Sequence, residues 1–272
     1  MLMVNAAKLI VAHLLINLVF PMNRQKVIFQ DLGLCEYKKA WDYQEQLLGE
    51  NVRRKSIIRN LQLAADKSHL PEGYAESEQD QPEHYLLFVE HPPVYTLGKN
   101  GNTGNLLINE EERTIKGIEY FHTNRGGDIT FHGAQQIVGY PILDLEKFET
   151  DIGIYLNKIE EVIIRTLADY GINGNRSPGE TGVWIEPEVK GKERKICAIG
   201  VRTSRWITMH GFAFNVNTDL RYFDFIIPCG ISNKRVTSLE KELGYQVDME
   251  EVKMKVKRHF EKVFDVELIS ED

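Results

Sequence analysis

Cysteine is scarce: three residues in 272, an odd number. A disulfide framework is excluded as the organising principle, and a reducing, cytoplasmic setting is expected. Metal motifs are missing as well. There is no C-x-x-C and no H-E-x-x-H, and the eight histidines are scattered, so no metal is expected. No G-x-x-x-x-G-K-[ST] occurs, and no G-x-G-x-x-G joins a strand to a helix. A loop that cradles phosphate is therefore unsupported. G-x-S-x-G is absent, which argues against a serine hydrolase. Positive charge is in short supply: 33 Lys and Arg against 40 Asp and Glu give a net charge of -7. A dedicated nucleic-acid binder is usually basic, so that class recedes.

Long apolar runs are lacking too. Residues 9–20, LIVAHLLINLVF, are interrupted by His13 and Asn17. They fall short of the roughly 20 residues a spanning helix needs, so no stable membrane insertion is expected. Three readings of this segment compete: a start assigned too early with Met22 as initiator, a helix packed on the body, and a weak export signal. The rest, 22–272, has no long linker and reads as a single catalytic domain behind a 1–21 extension.

What is present is a patterned globular chain, 42% hydrophobic and 27% charged. Val27–Leu32 reads as a strand. Tyr37–Asp66 follows as a long helix with Ala40, Trp41, Leu47 and Leu48 near helical spacing. Residues 67–83 are polar, with two prolines, and read as a loop. Short strands then predominate: Tyr85–Glu90, Val94–Leu97, Ile118–His122, Ile129–Phe131, Gln136–Leu145, Gly182–Ile185, Lys195–Val201 and Trp206–Val216. Helices are expected at Asp151–Tyr170 and Met249–Phe264. Runs of strands with separate helices predict an α+β fold with a mixed or antiparallel sheet.

Two segments carry potential chemistry. In Arg125-Gly126-Gly127-Asp128-Ile129-Thr130-Phe131-His132-Gly133, paired glycines permit close backbone approach beside Arg, Asp, Thr and His. A capped hairpin and a ligand-binding loop both fit this pattern. In Ile227-Pro228-Cys229-Gly230-Ile231, a thiol sits in a turn between Pro and Gly. A thiol needs a cation or base nearby to act as a nucleophile at neutral pH. Lys195 is a candidate, although it lies in a charged stretch and could equally be a solvated cation. Strand periodicity puts Lys195 and Cys197 on one face, which makes Cys197 a rival thiol.

Together these segments resemble the lipoyl(octanoyl) transferases. The resemblance runs from about Val27 to Phe264. It includes His91-Pro92-Pro93-Val94-Tyr95-Thr96-Leu97-Gly98, Arg125 to His132, Gly139-Tyr140-Pro141-Ile142 and Gly182-Val183-Trp184-Ile185. It continues through Lys195 to Gly200, His210-Gly211-Phe212-Ala213-Phe214-Asn215-Val216 and Pro228-Cys229-Gly230-Ile231. The resemblance implies a biotin/lipoate protein ligase-like catalytic domain: a central mixed β-sheet flanked by helices. It implies Cys229 as the acyl-thioester nucleophile and Lys195 as the group that lowers its pKa. It implies a substrate pocket formed by Arg125, Gly126, Gly127, Asp128, Ile129, Thr130, Phe131 and His132, by Ala198, Ile199 and Gly200, and by Gly211, Phe212 and Ala213.

The donor would be octanoyl-acyl carrier protein, without ATP or another cofactor. The acceptors would be lipoyl domains of 2-oxoacid dehydrogenase complexes and the glycine cleavage H protein. Lys190, Lys192, Arg194, Arg202, Arg205, Lys234 and Arg235 are candidates for a basic rim facing such acidic partners. The sequence departs from the family at Ala134-Gln135, where Pro-Gly is usual, which could reshape the turn beside the pocket. The 1–21 extension precedes the family's usual start, which favours Met22 as initiator. An ATP-dependent lipoate or biotin ligase, an octanoyl amidotransferase and a non-catalytic acyl-carrier-binding module are the competing functions.

Overall fold

The computed structural model describes residues 24–65, 81–228 and 235–270. The apolar segment 9–20, most of the polar loop and Cys229 lie outside the described residues. In chain order the elements are β1 (Gln25–Leu34), α1 (Tyr37–Ala65), β2 (His84–Glu90), β3 (Val94–Leu97), α2 (Glu110–Ile115), β4 (Glu119–His122), β5 (Ile129–His132) and β6 (Gln136–Ile142). They continue with α3 (Ile152–Ala168), β7 (Gly174–Ser177), β8 (Glu180–Ile185), β9 (Arg194–Ser204), β10 (Ile207–Asn215), β11 (Arg235–Val236), α4 (Leu239–Leu243), α5 (Met249–Phe264) and β12 (Val266–Ser270).

The large sheet runs β12-β1-β2-β6-β10-β9-β8-β7, with β11 alongside β9. The pairs β12/β1, β1/β2 and β11/β9 are parallel, and β2/β6, β6/β10, β10/β9, β9/β8 and β8/β7 are antiparallel. This is the mixed sheet the sequence predicted. Its middle strands are covered on both faces, which is why β2 reads as a near-continuous apolar run and β10 is buried throughout.

Helices α3 and α5 cover one face. Ile159, Val162, Ile163 and Leu167 from α3, and Val252, Val256, Phe260 and Phe264 from α5, pack onto Phe212, Phe214, Val183 and Ile137. Asp151 caps α3 by accepting from the Ile154 N–H, and Asp248 does the same for α5 through Glu251. The opposite face is covered by α1. Tyr37, Ala40, Gln44, Leu47, Leu48 and Asn51 recur every three or four residues and are buried. A second sheet, β4-β3-β5, stands beside this face with its own apolar cluster of Tyr95, Leu97, Ile129, Phe131 and Phe223.

Five elements went beyond the sequence expectation. β7 is Gly-Asn-Arg-Ser, a polar edge strand without strand-forming residues. β11 has two residues and exists only through pairing with β9. β12 follows α5 after Asp265, which turns the chain with φ +53. The short α2 and α4 are held by their caps. In α2 a capping box joins Asn109 and Glu112, a pattern visible in the sequence.

Candidate active site

A cleft enclosing about 510 Å³ of empty space, its open mouth included, lies between the α1 face of the large sheet and the second sheet. Val138 and Tyr140 of β6, Ala198, Ile199 and Gly200 of β9, and Gly211, Phe212 and Ala213 of β10 form one wall. Arg125, Gly127 and Asp128 of the preceding loop, with Ile129, Thr130 and His132 of β5, form another. Tyr37, His210 and Lys195 complete the lining. A larger cleft of about 1,620 Å³ beside Lys55, Arg205 and Trp206 gathers none of the residues singled out for the pocket.

Small side chains make the approach possible. A Cβ on Gly200 would stand 2.8 Å from the Gly126 carbonyl oxygen and 3.3 Å from Arg125 Nη1. Only glycine lets the 125–128 loop lie this close to β9, where the Gly126 N–H donates to the Val201 carbonyl at 2.9 Å. The loop is fixed from within by Arg125. Its guanidinium donates to Thr96 Oγ1 and to the carbonyls of Gly126 and Asp128, each at 2.9 Å. Asp128 accepts from the N–H groups of Asn102 and Ile129 and from Asn105 Nδ2.

The inner end of the cleft is a network of neutral aromatic groups. His91 Nδ1–H donates to the Cys35 carbonyl at 2.7 Å, so its Nε2 accepts from the Tyr140 hydroxyl at 2.8 Å. His132 Nδ1–H donates to Gln136 Oε1 at 3.0 Å, and its Nε2 accepts from Thr96 Oγ1 at 3.2 Å. His210 Nε2–H donates to Asn124 Oδ1 at 2.8 Å. Tyr37 stacks on His132 with ring centroids 5.9 Å apart.

Burial holds these histidines neutral: His91 is lowered to about 4, and His210 to about 3 with help from the Arg125 charge. His132 is pushed well below its ordinary value by burial and then by its neighbours His91 and Arg125. Burial raises Tyr37 to about 12, opposed by Arg125. The histidines and Tyr37 at the inner end thus stay uncharged, while Arg125, Asp128 and Lys195 bring charge to the rest of the lining.

Lys195 stands where this cleft meets a second, more open groove lined by Gly126, Gly179, Glu180, Thr181 and Leu156. Its Nζ donates to the Thr181 carbonyl at 3.1 Å and lies 4.6 Å above the Trp184 ring. Cys197 goes elsewhere: it is fully buried in the cluster under α3 and α5. Burial pushes its thiol far up, beyond what the Lys195 charge offsets, so it is an inert core residue. The alternation that placed the two on one face is broken by a bulge. Val183 pairs with Cys197 and Trp184 with Lys195, leaving Ile196 as the extra residue.

Two residues from the pocket segments stand outside the cleft lining. Phe131 is buried in the second sheet's cluster, stacked on Tyr222 at 4.6 Å. Gly126 lines the outer groove instead. The position of the expected nucleophile, Cys229, lies outside the described residues. Sequence reasoning placed Tyr140 in the strand face 139–143 expected to offer an apolar slot, but missed Tyr37, Val138 and His210 as lining groups. His210 lies inside the quoted segment His210-Gly211-Phe212, whereas Tyr37 had no signal beyond opening a helix.

The departure at Ala134-Gln135 leaves a tight turn between β5 and β6. Gln135 takes the left-handed conformation, φ +61, that a glycine would adopt freely. Its N–H donates to Glu90 Oε2, and its carbonyl accepts from the Asn217 N–H and Thr218 Oγ1. Of the cations near the site, Arg194 is clamped by Glu186 and Glu242, and Arg202 by Glu45.

A mixed sheet with α1 on one face, two helices on the other and this glycine-lined cleft is the architecture of a lipoylating catalytic domain. The chain belongs to the lipoyl protein ligase A/B catalytic-domain family, whose model matches residues 63–261. Among curated relatives, the octanoyltransferase of Flavobacterium psychrophilum is 55% identical over 241 residues, covering 88% of this chain and 97% of that one. The octanoyltransferase of Parabacteroides distasonis is 50% identical over 236 residues, covering 87% and 97%. The chain is accordingly an acyltransferase of the octanoyl-transferring kind.

Solved structures agree on the fold. The bipartite lipoate protein ligase of Thermoplasma acidophilum superposes with a TM-score of 0.61 at 16% identity, over 91% of this chain and 87% of that one. A lipoate-protein ligase A bound with ATP gives 0.60 at 13% identity, over 92% and 89%. Among the described residues, no helix is long and apolar enough to cross a membrane.

Proposed function

We propose that this chain, a single catalytic domain over 22–272, transfers octanoyl from octanoyl-acyl carrier protein to the lysine amine of lipoyl domains, including those of 2-oxoacid dehydrogenases and glycine cleavage H protein. It works in the cytoplasm without a cofactor, through a thioester on Cys229. The observation that carries this reading is the meeting of Lys195 with the Arg125–His132, Ala198–Gly200 and Gly211–Ala213 segments around one cleft.

The proton inventory closes with Lys195 alone. The Cys229 proton passes to Lys195, and the thiolate attacks the thioester carbonyl. The carbon–sulfur bond to the carrier breaks, and the Lys195 ammonium returns its proton to the departing carrier thiolate. The acyl chain then lies in the apolar cleft, against Val138, Ala198 and Ala213. The acceptor amine attacks the acyl-enzyme and gives its proton to the now neutral Lys195, directly or through water. The amide leaves, and the Cys229 thiolate and Lys195 ammonium are restored. Thioester energy drives amide formation, so no nucleotide is consumed.

The test is intact mass after mixing with octanoyl-acyl carrier protein and no ATP. Wild type is expected to gain one octanoyl group, sensitive to hydroxylamine. Cys229→Ala is expected to gain none, and Cys197→Ala to behave as wild type if it folds. No adduct on wild type with a verified donor would reject the reading in favour of a ligase or a binding module. Loss in folded Cys197→Ala alone would move the nucleophile.

A further inference from the structure

Lys195 does not reach the cleft as a free tether. Its stem crosses Gly182, where a Cβ would stand 3.4 and 3.5 Å from Lys195 Cε and Cδ and 2.6 Å from the Cys197 carbonyl oxygen. Gly182 has φ +120, and its N–H is fixed to Glu160 Oε1 at 2.9 Å. At the end of the stem, the ammonium donates to the Thr181 carbonyl at 3.1 Å. It lies 4.6 Å over Trp184, within the distance at which a cation is attracted by a ring face. Trp184 is 2% exposed and paired directly opposite Lys195, so the ring cannot follow the ammonium if it moves.

We propose that Trp184 is the positioning residue of the transfer: with the Thr181 carbonyl, its ring face holds the Lys195 ammonium at the junction of the acyl cleft and the outer groove. The proposal rests on the role given to Lys195 above. The bulge at Ile196 brings Lys195 opposite Trp184 and out of the apolar cluster that holds Cys197. The indole face then replaces part of the hydration the ammonium gives up.

The other charged and titratable groups around Lys195 have their own partners. Arg125 and Asp128 across the cleft bind their loop, and Glu160 on α3 holds Gly182 and Arg176. Glu180 on β8 accepts from Ser177, while Arg194 on β9 is held by Glu186 and Glu242. Cys197 on β9 is buried, and Arg235 on β11 is exposed. Removing the ring therefore takes away one of the contacts that fix the Lys195 ammonium.

The experiment measures the rate of octanoyl-adduct formation against pH for wild type, Trp184→Phe, Trp184→Leu and Lys195→Met, with octanoyl-acyl carrier protein as donor. A cation held near the thiol favours the thiolate, so loosening it moves the rising limb to higher pH. For Trp184→Leu the expected shift is about one pH unit, and for Trp184→Phe, whose ring binds cations more weakly, about half of that. Thermal melting checks the fold of each variant.

Trp184→Phe keeps a ring in the core and decides the matter if Trp184→Leu does not fold. A wild-type profile in the folded Trp184 variants, with the reaction crippled in Lys195→Met, would overturn this proposal and leave the role of Lys195 standing. A wild-type profile in Lys195→Met would overturn that role itself.

Discussion

The two faces of the large sheet are built to opposite rules. Under α3 and α5 the buried cluster is mostly Ile, Val, Leu and Phe, with Tyr155 and one inert thiol, Cys197. Under α1 the buried set includes Tyr37, Gln44, His91, His132, Tyr140 and His210, each engaged in hydrogen bonds or ring contacts around a cleft. The first face gains stability from its buried apolar side chains. The second gives up packing to keep a cleft, and it relies on hydrogen-bond networks to hold shape. One sheet can serve both ends because alternate side chains of β6, β9 and β10 point to opposite faces.

The largest effect expected from breaking this contrast is on the tightly packed side. Phe260 is 1% exposed and stacked on Phe264 at 4.4 Å. Phe260→Ala is expected to cost about 3–5 kcal/mol in urea unfolding, with octanoyl-adduct formation by the folded fraction unchanged. Lys195→Met on the cleft side should do the reverse. It is expected to slow acylation by roughly 100- to 1,000-fold with little change in melting temperature, read from single-turnover intact mass.

Acid should separate the faces next. His91 and His210 have folded pKa values of about 4 and about 3, below the unfolded value near 6.5. The unfolded chain therefore binds protons that the folded chain refuses. The stability from these groups is complete above pH 6.5 and is lost progressively as pH falls toward 4 and then 3. The expected loss is about 1.4 kcal/mol per pH unit for each histidine across that window. His84, also lowered to about 4 by burial and packed on Phe148, adds its own loss on the α3 and α5 side. Hydrogen exchange at pH 5 is therefore expected to show both faces weakened, α1 the more because two such histidines lie under it.

The smallest effect is at Gln135, whose left-handed backbone is compensated by its hydrogen bonds. Gln135→Gly should change stability by no more than about 1 kcal/mol, by thermal melting, and leave adduct formation unaltered.

The contrast also explains what could be read in advance. The apolar face was legible because Ile159, Val162, Ile163 and Leu167 recur at helical spacing and β2 is a plain apolar run. The cleft was legible only as segments. Arg125 to His132 and Lys195 to Gly200 announced themselves by motif, while their meeting is tertiary and depends on a bulge that no spacing rule predicts. That bulge separates Lys195 from Cys197, which strict alternation had paired. Phe131 carried motif status but serves the second sheet's core. Tyr37, a cleft wall, looked like any helix-opening aromatic. The polar β7 and the two-residue β11 are strands by partnership alone, so no local pattern marks them.

The most direct test is where the acyl chain lies. Protein acylated with 13C-labelled octanoyl from its carrier is expected to show NOEs from the chain's methyl and methylene groups to Val138, Tyr140 and Ala213, and none to Ile163 or Phe260. An octanoyl chain that forms on the enzyme but gives no NOE to the α1-face residues would contradict the account.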